Sequence, residues 1–248
     1  MDYTVLGSVL PDLTGIFGRV ARERYAEKLE KKRLERFDPT VAIKDQRIVR
    51  YERDNPGYHI TNGIINHLKV DTVFHNSDFF TEQREFIKSE LENLNLVKGP
   101  RYLHFVTHIV LELMLDRLLI KENDGICDEF YTHLQKIEKE ALILYLNEHD
   151  YVQVDNEFFD FFQRFVSSRY LHTYTHNEHF IFALNRIIRL PGLSGFEDSD
   201  NNNLSMAITK IELGISSHYK TIFDEINSKL DENLLRNNTS GSSLRLIA

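Results

Sequence analysis

The sequence predicts an all-α protein, a single helical-bundle domain with a buried central helix. Glycine and proline are scarce, at 11 and 5 of 248 residues, while the helix-favouring Leu, Glu, Lys and Ile occur throughout. Apolar residues recur at helical spacing in most segments. The chain also lacks the regularly spaced turn clusters that separate the strands of a sandwich or a barrel. Together these observations favour helices packed on helices.

The individual elements follow from turn formers and apolar spacing. The first 18 residues, with turn formers around Pro11, are expected to form a loop-bearing start. Thr61 is the expected N-cap of a core-facing helix. The segment 102–120 is almost uniformly apolar and is predicted to be the central helix. The other helices are predicted over residues 18–37, 61–76, 79–94, 125–149, 155–168, 175–189 and 204–235, with loops at 38–59 and 191–203.

Length and composition limit the domain count and the compartment. Hydrophobic residues make up 42% of the chain, which suits one domain over residues 1–235 with a flexible polar tail at 236–248. Cys127 is the only cysteine, so a reducing compartment is the default and we expect a cytoplasmic protein. No segment offers about 18 uninterrupted apolar residues, so no membrane span is expected.

The charge pattern bears on the class of partner. A formal net charge of −8 argues against a nucleic-acid binder. Between Arg19 and Arg36, however, eight Lys and Arg stand against four Glu. This segment could attract an acidic partner, although a solvated helix face has the same pattern.

Two apolar, helix-patterned stretches place His and carboxylate residues at four-residue intervals. Residues four apart lie on one helix face, about 6 Å apart along the axis. The first ladder comprises His67, Asp71 and His75, and the second comprises His104, His108, Glu112 and Asp116. One ion cannot touch every rung of a ladder, so two facing ladders would hold one or two ions.

The setting of the second ladder favours a metal site. Its helix is apolar nearly all round, and buried carboxylates are normally paired or bound to metal. Mixed imidazole and carboxylate ligands fit Zn, Mn or Fe better than Ca or Mg. Two alternatives stay open: a lone His on an apolar helix is usually a hydrogen-bonded core residue, and Arg117 could pair with the adjacent Asp116.

A third group of histidines lies in the stretch SRYLHTYTHNEHF. His172 and His176 have the spacing of metal ligands, but the stretch is polar. A substrate-contacting or solvated surface therefore explains it as well as a metal site does. The role of His179, in the same stretch, is left open.

Short motifs over residues 5–192 resemble those of the acyl carrier protein phosphodiesterase family. They are LGSVLPDLTG, GIINHLKVDTVFHNSDFF, an apolar helix with paired polar rungs, and RYLHTYTHNEHFIFALNRIIRLPG. Asp12, His67 and Asp71 stand at the family's early Asp and at its His-x-x-Ile-Asp pattern. That family has a Thr-Asp pair where this chain has Phe74-His75.

A further departure brings in a second, more distant resemblance. His108 and Glu112 stand where two acidic residues are expected in the first family. The zinc-dependent phospholipase C family, also all-helical, holds clustered zinc ions with an early Asp, a His-x-x-x-Asp and a His-x-x-x-Glu, and these elements occur here in the same order. The spacing to the next His differs, and the N-terminal Trp ligand of that family is absent.

The resemblance implies a metal-dependent phosphodiesterase, with the 4'-phosphopantetheine linkage of holo acyl carrier protein as the leading substrate. The partner would be that acidic carrier protein or a small phosphodiester. The implied ligands of one or two divalent ions (Zn, Mn or Fe) are Asp12, His67, Asp71, His108 and Glu112. The implied catalytic residues are Asp12, His75 and Asp116, and the implied substrate-binding residues are Arg169, His172 and His176. The alternatives are a phospholipase C-like hydrolase of another phosphodiester, or a non-catalytic binding protein with a structural metal or a polar core.

Overall fold

The computed structural model describes residues 2–20, 54–94, 96, 102–149 and 155–241. Within these ranges the regular structure is helical and no strand occurs, which confirms the all-α prediction. The α-helices are α1 (Asp2–Val20), α2 (Pro56–His75), α3 (Asp78–Glu92), α4 (Leu103–Glu122), α5 (Ile126–Gln135), α6 (Lys139–Glu148), α7 (Asp155–Ser168), α8 (Asn177–Arg189), α9 (Asn201–Ser216) and α10 (Lys220–Gly241). Two 3-10 helices, Tyr170–Thr175 and Asp198–Asp200, precede and follow α8.

The N-terminal segment is a helix, so the expectation of a loop-bearing start was wrong. α1 contains Pro11 in its interior. Leu6, Leu10 and Leu13 recur at helical spacing and are at most 3% exposed. Burying one leucine contributes about 1.5 to 3 kcal/mol, so the three together outweigh the ~3 kcal/mol that an interior proline costs.

Two glycines allow α1 and α2 to cross at very short range. A Cβ atom added at Gly7 would lie 2.1 Å from the carbonyl oxygen of Ile60, and one added at Gly63 would lie 2.2 Å from that of Thr4. Both distances are far below van der Waals contact, so only glycine fits at either position. The crossing fixes Asp12 on α1 relative to the first ladder, which lies on α2.

α2 begins before the predicted start at Thr61. Asn55 is the N-cap, and its side chain accepts a hydrogen bond of 2.7 Å from the backbone N–H of Gly57. Pro56 takes the first helical position, where the missing N–H has no intrahelical partner to lose. α2 ends at His75, because Ser77 then caps α3.

α4 is the buried central helix that its composition predicts. It packs against α3, α8 and the first 3-10 helix. Its apolar side chains join those of α3, α8, α9 and α10 in the larger of two core clusters. Apolar burial on several sides explains why its sequence shows no polar stripe.

The second core cluster is formed by α1, the start of α2, the end of α5, α6 and α7. α2 takes part in both clusters, since Ile60 is buried in the second and Phe74 in the first. The first ladder lies toward the Phe74 end of α2, the end that packs on the larger cluster.

Two of the predicted helical segments each contain a break that the sequence did not indicate. The segment 125–149 forms α5 and α6, and 204–235 lies in α9 and α10. Ile137 and Tyr219 are buried at the two breaks, which indicates that the chain turns there to place an apolar side chain in a core. The predicted loop 191–203 contains a 3-10 turn and the first residues of α9.

Some predictions fall outside the described residues. Most of the basic segment between Arg19 and Arg36 does, as do residues 38–53 of the predicted loop and residues 242–248 of the predicted tail. α10 continues to Gly241, six residues past the predicted domain limit at 235. In the described part of the chain, no helix is both long enough and apolar enough to cross a membrane.

Candidate metal centre

The two ladders approach each other where α2 ends. The ligand atoms of His75, His108 and Glu112 all lie within 4.8 Å of one another. Nε2 of His108 is 2.8 Å from Oε1 of Glu112, and Nε2 of His75 is 3.8 Å from the same oxygen. All three side chains are half-buried. We call these three residues the His/Glu cluster.

The spacing within the His/Glu cluster fits a divalent transition-metal ion. Metal–ligand distances of about 2.0 to 2.2 Å place the ligands of a tetrahedral ion about 3.3 to 3.6 Å apart. The two distances to Glu112, 2.8 and 3.8 Å, lie on either side of that range. Oδ1 of Asp71 is 3.6 Å from Nε2 of His75, which makes Asp71 a candidate fourth ligand on that side of the cluster, although it lies outside the group whose ligand atoms are all within 4.8 Å of one another. Two imidazoles and two carboxylates suit Zn, Mn or Fe.

The outer rungs of the ladders make other contacts. Nε2 of His67 lies 3.9 Å from Oδ2 of Asp71, one turn away from the cluster. At the start of α4, the backbone oxygen of His104 accepts a hydrogen bond of 3.1 Å from Arg84, which also contacts the His104 ring. The structure therefore brings the last rung of the first ladder beside the two middle rungs of the second, rather than bringing whole ladders together.

The environment of His75 favours the form that binds metal. Burial, the largest influence, lowers the pKa of His75, and the carboxylates of Asp71 and Glu112 oppose that effect. The positive charges of His108 and Arg84 lower the pKa further. A lowered pKa keeps the imidazole neutral at neutral pH, with a lone pair available for an ion.

The ring of Phe80 covers one side of the cluster. It lies 4.8 Å from the ring of His75 and 5.2 Å from that of His108. The guanidinium carbon of Arg84 lies 4.9 Å from the centre of the same Phe80 ring. These contacts restrict the imidazole orientations, as a metal site requires. Neither Phe80 nor Arg84 was identified from the sequence, because neither is four residues from a ladder rung.

Asp116 lies one turn beyond Glu112 on α4, and solvent reaches its side chain. Desolvation by the many surrounding protein atoms nevertheless raises the pKa of Asp116 to about 7, with the charges of Glu112 and Asp12 adding to the effect. Asp12, on α1, is therefore near enough for its charge to act on Asp116.

Arg117 pairs on the opposite side of α4. It is 4% exposed, and its Nη2 lies 2.8 Å from a carboxylate oxygen of Glu212. Its Nη1 donates a hydrogen bond of 3.2 Å to the backbone oxygen of Tyr174. Successive helix positions differ by about 100°, so Arg117 and Asp116 face different surroundings. Among the described residues, Asp116 has no basic group within ion-pair distance.

The predicted substrate-binding residues lie apart from the His/Glu cluster. Arg169 pairs with Asp128, and Nε2 of His172 is 3.2 Å from a carboxylate oxygen of the same residue. His176 is the exposed N-cap residue of α8, with its ring 6.0 Å from that of His179. Their role in substrate binding stays a prediction.

Sequence reasoning did not identify Tyr170 and Tyr174. Their rings lie 5.6 Å apart in an edge-to-face arrangement, and the charges of Asp116, Asp12 and Arg186 act on Tyr170. Both tyrosines lie in the same polar stretch as His172, where the histidines were the stronger signal. Their four-residue separation was the available clue, but it pointed to no particular chemistry.

Comparisons with models of protein families, with curated proteins and with solved structures gave no match. The site geometry, together with the short motifs, is therefore the basis for a functional proposal.

Proposed function

We propose that this protein is a metal-dependent phosphodiester hydrolase whose site is centred on the His/Glu cluster. The observation that carries the proposal is the approach of three ligand atoms to within 4.8 Å of one another. Helical spacing accounts for the neighbours His108 and Glu112 on one helix. His75 comes from another helix, so its presence there depends on tertiary packing.

The residues divide into holding and orienting roles. His75, His108 and Glu112 would hold the ion, with Asp71 as the fourth ligand. His67 lies beside Asp71 and would orient its carboxylate. A divalent ion at this position would polarise a phosphoryl oxygen and lower the pKa of bound water.

Asp116 suits proton transfer near neutral pH. With a pKa of about 7 it is present in both protonation states. It could therefore accept a proton from the attacking water or return one to the leaving oxygen. Asp12 approaches it from α1, and the two carboxylates would also favour a second ion.

The carboxylates constrain the kind of substrate. A phosphodiester anion would be repelled by Asp12, Asp116 and Glu112 unless cations occupied the site. Metal dependence is thus part of the proposal rather than an addition to it. The motif resemblance supports the phosphopantetheine linkage of an acidic carrier protein as the substrate, with a smaller phosphodiester as the alternative.

The experiment compares metal content and hydrolysis in matched variants. Purified protein is assayed with Mn²⁺ or Zn²⁺ on holo acyl carrier protein, a phosphocholine lipid and an aryl phosphodiester. We expect His108→Ala and Asp71→Ala to lose turnover, and His104→Ala, one turn from His108 on the same helix, to keep it. Hydrolysis that continues in the presence of a chelator, or in the His108→Ala variant, would contradict the mechanism.

A non-catalytic polar core is the second candidate. It is favoured by the 2.8 Å contact between His108 and Glu112, which satisfies both groups without an ion. This reading predicts sub-stoichiometric metal after purification in a metal-containing medium. Elemental analysis distinguishes the two, and stoichiometric metal without turnover on any substrate would indicate a structural ion.

A further inference from the structure

We infer that Arg84 binds the phosphoryl oxygens of the substrate beside the His/Glu cluster. The inference rests on the proposed phosphodiester hydrolysis and adds the group that recognises the anion. It assigns this recognition to an arginine on α3 and not to Arg169, whose guanidinium already pairs with Asp128.

The packing of α3 against α4 places Arg84 one helical turn from the cluster. Arg84 follows Phe80 by four residues on α3, and His104 precedes His108 by four residues on α4. Residues at this separation share a helix face, about 6 Å apart along the axis. The ring of Phe80 lies 5.2 Å from that of His108. One turn along the same interface, Arg84 donates a hydrogen bond of 3.1 Å to the backbone oxygen of His104.

The ring of Phe80 lies between the guanidinium and the cluster. The guanidinium carbon of Arg84 is 4.9 Å from the centre of that ring, and the centre of the His75 imidazole is 4.8 Å from it. The positive charge is thus held one phenyl ring away from the cluster imidazoles. Burial is the main cause of the lowered pKa of His75, and the charge of Arg84 adds to it, as expected at this separation.

The charge of Arg84 has no counter-ion in the described part of the chain. No carboxylate there lies within ion-pair distance of its guanidinium. By contrast, the next cation along α3, Lys88, lies 3.4 Å from a carboxylate oxygen of Glu85. A guanidinium without a carboxylate partner suits phosphoryl oxygens, which its planar fork can bind in pairs.

The hydrogen bonds of Arg84 leave donors unused. Nη2 contacts the backbone oxygen and Nδ1 of His104. A guanidinium only donates, so this Nδ1 accepts and His104 is a neutral imidazole. Nε of Arg84 is buried without a hydrogen-bond partner. Nη1 makes no hydrogen bond to a described residue and is not buried, so a ligand can reach it. Stability of the fold alone does not explain an arginine with unsatisfied donors.

The test measures binding of inorganic phosphate to the Mn²⁺-loaded full-length protein by calorimetry. Arg84→Ala should weaken phosphate binding at least about tenfold, because it removes a charged hydrogen-bond donor. Arg84→Lys keeps the charge without the planar fork and should recover part of the affinity. Lys88→Ala, one turn along α3, is the matched control. It should stay within about twofold of the wild type, since Glu85 already compensates that charge.

Mn²⁺ affinity and melting temperature are measured on the same variants. Removing a positive charge near the His/Glu cluster should leave Mn²⁺ binding as tight as in the wild type, or tighter. If Arg84→Ala does not fold, Arg84→Gln, which keeps an N–H donor without the charge, takes its place. Weaker phosphate binding with undiminished Mn²⁺ binding supports the inference.

Three results would overturn the inference. The first is a wild-type protein that binds no phosphate when loaded with Mn²⁺. The second is phosphate affinity that is unchanged in the Arg84 variant, or that falls equally in Lys88→Ala. The third is a parallel loss of phosphate and Mn²⁺ binding, which would make Arg84 a support for the cluster and not a ligand of the anion.

The outcomes separate this inference from the proposed function. Metal-dependent hydrolysis with unchanged KM and phosphate affinity in Arg84→Ala leaves the function standing and removes the role of Arg84. Phosphate binding that depends on Arg84, without hydrolysis of any phosphodiester, leaves that role and removes the function. His104→Ala retains the backbone oxygen that accepts from Arg84, so turnover is still expected in that variant.

Discussion

Two polar groups on the central helix α4 have opposite surroundings. On one side, Arg117 is buried and meets Glu212 and the backbone oxygen of Tyr174. On the other side, His108, Glu112 and Asp116 are at least partly exposed. The imidazole of His108 lies beside the carboxylate of Glu112, whose charge also acts on Asp116. The first group is compensated within the protein, whereas the second would be compensated by the cation that we propose.

The difference shows that polarity on an apolar helix does not by itself indicate a site. A buried ion pair with its remaining hydrogen bonds made is a structural feature. Desolvation, with the charges of Glu112 and Asp12 adding to it, raises the pKa of Asp116, so a positive charge beside this carboxylate would be favourable. The two sides of α4 differ in whether a charged group has a partner of opposite charge within the protein, and not in the type of residue.

Removing the buried partner should have the largest effect. Glu212→Ala leaves Arg117 buried with one hydrogen bond to a backbone oxygen, and we expect it to lower the free energy of unfolding by about 2 to 4 kcal/mol. Urea denaturation measures the loss. Lys121→Ala, which removes the exposed partner of Glu212, is the control and should cost under about 1 kcal/mol. Equal losses in the two variants would show that the Arg117 pair is no more important than a surface one.

Removing a cluster ligand should act on metal rather than on stability. We expect His108→Ala to weaken Zn²⁺ or Mn²⁺ binding by about a hundredfold or more, since loss of an orienting group alone costs 10- to 100-fold. Competition with a metal chelator measures the affinity. In the absence of metal, the free energy of unfolding should change by about 1 kcal/mol or less. A large loss of stability with unchanged metal affinity would instead assign the cluster to the structural core.

Asp116 should destabilise the metal-free protein at neutral pH. Its pKa is raised to about 7 from the ordinary 3.8, so the folded state holds a proton that the unfolded state has released. Stability therefore falls as the pH rises from about 4 to about 7. We expect Asp116→Asn to be more stable than the wild type by about 1 to 2 kcal/mol at pH 8, less than the full pKa change would give because water reaches the carboxylate.

Denaturation in the presence of a chelator at pH 4 and pH 8 tests this expectation. The difference between the two proteins should be much smaller at pH 4, where Asp116 is protonated in the folded state and partly protonated in the unfolded state. A difference of undiminished size at pH 4 would come from packing rather than from ionisation.

The smallest effect is expected at the exposed end of α4. Hydrogen bonds from Lys220 and Tyr219 lower the pKa of Glu122, so the contacts stabilise the protein above the ordinary carboxylate pKa and are lost as the pH falls through the lowered one. Glu122→Gln should therefore differ slightly from the wild type at neutral pH and not in acid. Denaturation profiles that are parallel across this range would contradict the expectation.

Helical structure was largely predictable because it depends on local patterns. The central helix was predicted at 102–120 and occurs at Leu103–Glu122. The prediction was wrong for α1, because the local signal of Pro11 was weaker than the burial of three leucines against other helices. The breaks at Ile137 and Tyr219 were also missed, since the direction in which a side chain finds a core is not a local property.

The candidate site was only partly predictable for the same reason. Four-residue spacing places His108 next to Glu112 whatever the rest of the fold does. The approach of His75 to this pair depends on how α2 and α4 pack. Arg117 pairs with Glu212, which is 95 positions away in the sequence. No helical period could predict that contact.

By itself, the sequence determined the all-α class, the central helix and the two ladders, because each follows from a period of 3.6 residues along one segment. Only the tertiary structure decided which rungs meet and which carboxylate pairs with Arg117. Those outcomes depend on helix crossings such as the one at Gly7 and Gly63, where a single methyl group would hold α1 and α2 apart.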